Sequence, residues 1–192
     1  MDKLLIVVDM INGFIKEGAL HDEAIATALP ACESRVQEFL KNGDEVIAFC
    51  DNHQEESREF AAFPLHCLAG SKESELVEEL AAYQQEMTII PKNSTNGFFA
   101  PGFAPYLAKL ANYREVLIIG CCTDICVLQL ALSLKAYCNQ HDYATEILVD
   151  VAACETFEIP GHQRQQYNEL SFNLMKASGI KLLNEEKRLT DE

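Results

Sequence analysis

Three cysteines fall within one eight-residue stretch, GCCTDICV from Gly120 to Val127, between an apolar run and an amphipathic segment. Cys126 lies about three residues into a helix predicted to start near Thr123, where unpaired backbone N–H groups and the helix dipole favour an anion. A thiol of ordinary pKa, about 8.5, is only about 3% ionised at pH 7, and bringing it to about 6 takes roughly 3.4 kcal/mol. A helix start supplies at most about 2 kcal/mol of this. The remainder calls for a cation, and Lys92, closing the apolar run Met87–Lys92, is the best-placed one. Asp9, closing Lys3–Asp9, can then act as a base. A carboxylate touching both thiol and ammonium takes the proton from sulfur and later gives it to a leaving amine. Asp124 would raise the thiol pKa if it faced the sulfur, so it is expected to point away and cap the helix. Cys121 and Cys122 read as packing and backbone residues of the turn, and Cys32, Cys50, Cys67, Cys138 and Cys154 as small buried hydrophobes.

A second group follows in CDNHQEESREFAAFPLHC, Cys50–Cys67, which offers Asp51, His53, Glu59 and His66. This mixed oxygen and imidazole set suits one divalent metal ion, Zn, Fe or Mn. Asp51 and His53 alternate in an extended segment and so project to the same side, with Glu59 and His66 returning from the following loop. The residues alone leave open a solvated acidic loop, because Glu55, Glu56 and Glu59 are interchangeable by composition. Phe14 and Phe63 are either core aromatics or faces for a flat ligand. His21, His141 and His162 lie in polar or helix-boundary contexts and read as surface residues outside the chemistry.

The elements that must position these groups alternate along the chain. Short Val- and Ile-rich runs at Lys3–Asp9, Glu45–Asp51, Met87–Lys92, Glu115–Cys121, Glu146–Val151 and Ile180–Leu183 predict buried strands. Helical spacing appears at roughly Glu23–Asn42, Glu73–Tyr83, Pro105–Ala111, Asp124–Asn139 and His162–Ser178, with Gly43 and Gly179 where C-caps belong. The alternation predicts a three-layer α/β sandwich with a mostly parallel, doubly wound sheet. It forms one domain over residues 1–183, followed by a frayed acidic tail at 184–192. In such a sheet the strand C-terminal ends share one edge, and Asp9, Asp51, Lys92 and GCCTDIC all land there.

Thirty acidic against 15 basic residues give a formal charge of −15, which repels phosphate backbones and anionic membranes and favours a small neutral substrate. No apolar run reaches a membrane span and no signal-peptide pattern opens the chain, so a cytoplasmic protein with reduced thiols is expected.

In order and spacing, IVVDM with Phe14 soon after it, TIIPK and GCCTDICV resemble the three catalytic blocks of the nicotinamidase and isochorismatase-like cysteine hydrolase family, over essentially the whole chain. The resemblance implies Cys126 as nucleophile, Asp9 as general base and acid, and Lys92 as the cation beside the thiol. It also implies a cis peptide bond between Cys121 and Cys122, and an oxyanion hole from the backbone N–H groups of Cys122 and Cys126. Pro64-Leu65-His66-Cys67 resembles the last block of the nicotinamidase metal site, and Glu59 falls where some members carry a third ligand. The implied reaction is nicotinamide and water to nicotinate and ammonia through a thioester. The ring nitrogen would bind the metal and the ring would lie between Phe14 and Phe63. Homo-oligomers are expected from the same likeness. The segment Asn93–Phe99 departs from the Tyr-rich loop of many nicotinamidases. Two other functions remain: hydrolysis of another small amide, or metal or redox sensing without catalysis.

Overall fold

A computed structural model describes residues 2–188 of the chain. Its strands are β1 (Lys3–Val8), β2 (Glu45–Asp51), β3 (Thr88–Lys92), β4 (Glu115–Cys121), β5 (Glu146–Glu155) and β6 (Lys181–Leu183). They form one sheet in the order β3-β2-β1-β4-β5-β6, with every pairing parallel. Helical segments are α1 (Asn12–Ile15), α2 (Leu29–Asn42), α3 (Glu78–Ala81), α4 (Ala104–Ala108), α5 (Leu128–Gln140), α6 (Arg164–Ala177) and α7 (Glu185–Arg188).

The continuous apolar runs are explained by burial on both faces of the sheet. Leu4, Ile6 and Val8 of β1 pack into one core cluster with Leu130 and Leu134 of α5 and Phe172 and Met175 of α6. Leu5 and Val7 point the other way, into a second cluster with Cys32, Val36 and Phe39 of α2. This is the expected three-layer α/β sandwich. Pro91 lies in β3, an edge strand, where a missing ladder N–H is tolerated.

Four elements differ from expectation, one of them the helix predicted over Pro105–Ala111, which divides into α4 and a tighter turn at Leu110–Asn112. The helix predicted over Glu23–Asn42 divides into a tighter turn at Glu23–Ala28 and then α2, whose first turn contains Pro30. Proline has no N–H to continue a preceding ladder but suits a new first turn. The helix predicted over Glu73–Tyr83 shrinks to α3, because Asn12 N–H donates to Glu75 O (2.9 Å) and Val77 N–H to Met10 O (3.2 Å). These bonds hold the backbone extended against the segment after β1. β5 runs on to Glu155 past a register shift opposite Ile118 and Gly120, instead of ending at Val151. Of the tail, Glu185–Arg188 form α7, with Lys176 2.9 Å from Glu185, and residues 189–192 lie outside the described part.

From β1 the chain builds outward through β2 and β3, then crosses back to place β4 on the other side of β1. The strand order reverses between β1 and β4, and a crevice opens at such a point beyond the strand ends. Asp9 follows β1 and Cys126 follows β4, so both reach that crevice.

Candidate active site

Asp9 follows the last residue of β1 in the left-handed backbone region (φ 52°), a conformation that Asp tolerates better than most residues. Its N–H donates to Phe49 O (3.0 Å), and its side-chain Oδ1 accepts from Asp51 N–H (3.1 Å). The parallel register sets Asp51 opposite Lys92 at the ends of β2 and β3. Lys92 Nζ lies 2.8 Å from Asp9 Oδ2 and 2.5 Å from Asp51 Oδ1, donates to Ser94 O (3.1 Å), and stands 3.9 Å from Cys126 Sγ. All four side chains are buried.

Burying one ammonium with two carboxylates sets the charge states. Burial, then the Asp51 charge, raises the Asp9 carboxyl to about 7, while Lys92 and the Cys126 thiol pull it down. Burial acts the same way on Asp51, but the Lys92 charge, 2.5 Å away, outweighs it and holds Asp51 below the usual carboxylate range. Lys92 stays a cation despite burial, because Asp51 and Asp9 both face it. For Cys126, burial raises the thiol well above its ordinary value, and Lys92 counters this only partly because Asp9 and Asp51 push it up again. These surroundings oppose the expected lowering of the thiol pKa. The expected cation is in place, but a second carboxylate shares it, which weakens its pull on the sulfur.

The nucleophile candidate sits in a wide turn, Thr123–Val127, in which Val127 N–H reaches back to Cys122 O (3.2 Å). Such wide turns recur at functional sites. The Cys121–Cys122 peptide is cis, and Cys121 Sγ donates to Asp9 O (3.1 Å), joining the strand-to-helix turn to the end of β1. Gly120 lets this happen. Its φ is 120°, and a Cβ there would lie 2.0 Å from Val8 O. Asp124 does not cap the helix as expected: its carboxylate accepts from Thr156 Oγ1 (2.5 Å) and meets His162 Nε2 (2.8 Å). His162, in turn, is stacked between two rings with only 12% of its side chain exposed, so it is not the surface residue anticipated.

Beside the Lys92 group, Asp51, His53 and His66 each offer a ligand atom, all within 4.8 Å of one another. His66 Nδ1 donates to Pro64 O (2.7 Å), which leaves its Nε2 lone pair facing Asp51 Oδ2 at 3.8 Å. His53 Nδ1 lies 3.0 Å from Asn93 Oδ1, and its Nε2, buried and without a hydrogen-bond partner, faces Asp51 Oδ1 at 3.5 Å. Two imidazole lone pairs turned toward one carboxylate fit a small divalent cation between them, with the other ring nitrogens held by the partners that orient ligating histidines. Glu59 lines the adjoining cavity, but its carboxylate is not among the clustered ligand atoms.

The cavity over Cys126 has a volume of about 350 Å³. Asp51 and His66 line it beside the sulfur, and Phe14 and Phe63 flank His66 at ring distances of 5.9 and 6.2 Å. Most of its surface is apolar, in the manner of a pocket for a small organic ligand.

Residues 3–184 match the isochorismatase domain. The chain belongs to the isochorismatase family. Among the relatives of this isochorismatase-family chain, "Nicotinamidase 1" of Arabidopsis thaliana is 30% identical over 176 residues, covering 82% of this chain and 71% of that protein. A solved nicotinamidase/pyrazinamidase from Bacillus subtilis superposes with a TM-score of 0.81 at 25% identity, covering 96% of this chain and 100% of that one. The fold is shared with the pyrazinamidase of Pyrococcus horikoshii solved in complex with zinc, at a TM-score of 0.78 and 24% identity over 95% of this chain and 99% of that one.

Within this isochorismatase-family chain, one crevice therefore gathers Asp9, Lys92, Cys126, Cys122, Asp51, His53, His66, Phe14 and Phe63, with Glu59 on the cavity wall. Sequence reasoning missed Asn93, whose side-chain oxygen also accepts from Ser57 Oγ (3.0 Å), and the apolar wall residues Ile125, Phe157 and Ile159. Asn93 could have been suspected from its place next to Lys92. The wall residues carry no signal beyond being apolar.

Proposed function

We propose that this isochorismatase-family hydrolase is a metal-dependent cysteine amidase acting on a small, flat, neutral aromatic amide, with nicotinamide the best fit. The observation that carries the reading is the Lys92 ammonium, 2.8 Å from Asp9 and 3.9 Å from Cys126, joined through Asp51 to the paired histidines. The relationship to the Arabidopsis nicotinamidase supports the same substrate, and the zinc in the Pyrococcus structure supports a metal.

Asp9 accepts the sulfur proton as the amide docks, and Cys126 Sγ adds to the carboxamide carbon. The backbone N–H groups of Cys122 and Cys126 are assigned to the developing oxyanion. Collapse breaks the C–N bond, Asp9 returns its proton to nitrogen, and ammonia leaves behind a thioester. Asp9 next takes a proton from water, whose oxygen attacks the thioester carbon. The C–S bond breaks, the acid is released, and the proton returns to sulfur. Lys92 holds the carboxylates of Asp9 and Asp51 in place throughout.

Asp51, His53 and His66 would hold the cation, with Glu59 proposed as a further ligand from the cavity wall. When bound, the metal supplies an anchoring point for a ring nitrogen, so that orientation rather than bond activation is its contribution. Phe14 and Phe63 are assigned to the ring faces.

The test is ammonia release from nicotinamide and from a panel of aliphatic amides, before and after dialysis against a chelator. Nicotinamide should be the preferred substrate, chelation should reduce its turnover, and restored zinc or manganese should recover it. Cys126→Ala should lose about 10⁴-fold or more in kcat while its melting temperature stays near that of the wild type. Retained activity in that variant excludes the thioester route, and turnover indifferent to metal excludes ring anchoring.

A further inference from the structure

Asp124 and His162 form a connected pair that the reaction steps do not use. Asp124 leaves the same turn as Cys126, yet its Oδ1 accepts from Thr156 Oγ1 (2.5 Å) and its Oδ2 meets His162 Nε2 (2.8 Å). His162 Nδ1 is 3.0 Å from Phe157 O, so both ring nitrogens are tied, one to the nucleophile's turn and one to the segment after β5. The imidazole lies between Phe157 (3.9 Å, 9° between planes) and Tyr167 of α6 (3.7 Å, 25°). Stacking on both faces and bonding at both nitrogens leave the ring one orientation.

What this fixes is a stretch of chain with little regular structure of its own. Between β5 and α6 the backbone makes only one isolated antiparallel bridge, Ile159 to His162. Side chains hold the rest. Glu158 N–H donates to Asp22 Oδ2 (2.8 Å), and Arg164 N–H donates to Glu158 Oε2 (2.7 Å). Phe157 and Ile159 of this stretch line the cavity with Cys126, as do Leu20 and Asp22 from the segment after α1. Ile159 is 53% exposed although it lines the cavity, which puts it at the mouth.

We propose that Asp124 and His162 are positioning residues that hold Phe157 and Ile159 as the outer apolar wall of the cavity, and so set how tightly a flat apolar amide is retained over Cys126. The proposal rests on reading the cavity as the amide site. It ties the wall to the turn that carries the nucleophile, so the two move as one body. A wall held this way contributes binding to ground state and transition state alike, which appears in KM and leaves kcat unaltered.

The experiment pairs nicotinamide kinetics with hydrogen exchange followed peptide by peptide. His162→Ala removes both nitrogen contacts and the stacked ring, and should raise KM about 10-fold with kcat within about 3-fold of the wild type. His162→Gln, which keeps a donor for Asp124, should recover part of the loss. Exchange in peptides covering residues 156–163 should quicken in His162→Ala while those covering β1 and β4 stay unchanged. Tyr167→Leu removes one stacking face without touching the Asp124 bond or the cavity, and should shift KM and exchange in the same direction by less, which serves if His162→Ala does not fold. Unchanged exchange at 156–163, or a fall in kcat with KM unmoved, overturns the proposal. A wild-type protein that hydrolyses no amide overturns the functional reading instead, and the exchange result then judges the wall by itself.

Discussion

Lys92 is the residue on which the site's charge balance turns. Its ammonium stands between two buried carboxylates, 2.8 Å from Asp9 and 2.5 Å from Asp51, and neither would tolerate the other without it. Removing one member of a buried ionic group leaves uncompensated charge, which typically costs about 3–5 kcal/mol. Lys92→Met should therefore lower unfolding stability by about 3–5 kcal/mol at pH 7, measured as a drop in the urea midpoint. Adding Asp9→Asn to that variant should recover part of the loss. A single variant as stable as the wild type would show that the three charges are not coupled. At this scale the sequence marked Asp9, Lys92 and Cys126, because each polar group interrupts or follows an apolar run. It did not show that Asp51 serves Lys92 as well as the histidines, since that follows from which strands become neighbours.

The strand ends and the turn after β4 do the positioning. β1 and β4 run side by side so closely at Gly120 that a Cβ would sit 2.0 Å from Val8 O, and φ there is 120°. Gly120→Ala should thus cost roughly 3 kcal/mol or more, from backbone strain and displacement of β1, and should reduce kcat by shifting Asp9 relative to Cys126. Thermal melting together with ammonia release reads both effects, and an unaltered melting temperature would refute the close approach. Elements with strong apolar periodicity were legible: all six strands form where the pattern puts them, with β5 running on to Glu155, and α2, α5 and α6 overlap the stretches of helical spacing. The helix expected over Glu73–Tyr83 was not. Its pattern suits a helix, but backbone bonds to Met10 and Asn12 satisfy its N–H and C=O groups in another way.

Across the whole molecule the charges are strongly unbalanced, −15 in formal terms, and many of the cations are ion-paired. At the N-terminal edge of the sheet, opposite the site, Lys109 Nζ contacts both oxygens of Glu45 (2.7 and 2.9 Å), and Tyr113 Oη donates to the same carboxylate. Burial works against ionised Glu45, but Lys109 and Tyr113 prevail and lower its pKa. A carboxyl with a depressed folded pKa stabilises above its unfolded value, about 4.3, and that stability is lost as pH falls through the folded pKa. Glu45→Gln should therefore cost about 1 kcal/mol at pH 7, with the difference from wild type vanishing under acid, because the ion pair is partly exposed. Unfolding curves at several pH values check this, and kcat should be untouched. A constant difference at every pH would assign the loss to packing instead.

Much of the outcome lay in the chain itself. The alternation of buried runs with helical spacing determined a parallel α/β sheet, and a parallel sheet sends every strand's C-terminal end to one edge, so the polar residues closing those runs had to share a crevice. Tertiary structure decided what depends on distance and solvent. Burial and the two carboxylates push the Cys126 thiol pKa up against the pull of Lys92, and the β2–β3 register makes Asp51 common to Lys92 and the histidines. The route taken by the chain after β5 brings His162 against Asp124. Spacing along a chain specifies which face a side chain occupies, but the sign of an electrostatic balance requires every charge within a few ångströms and the water excluded from among them.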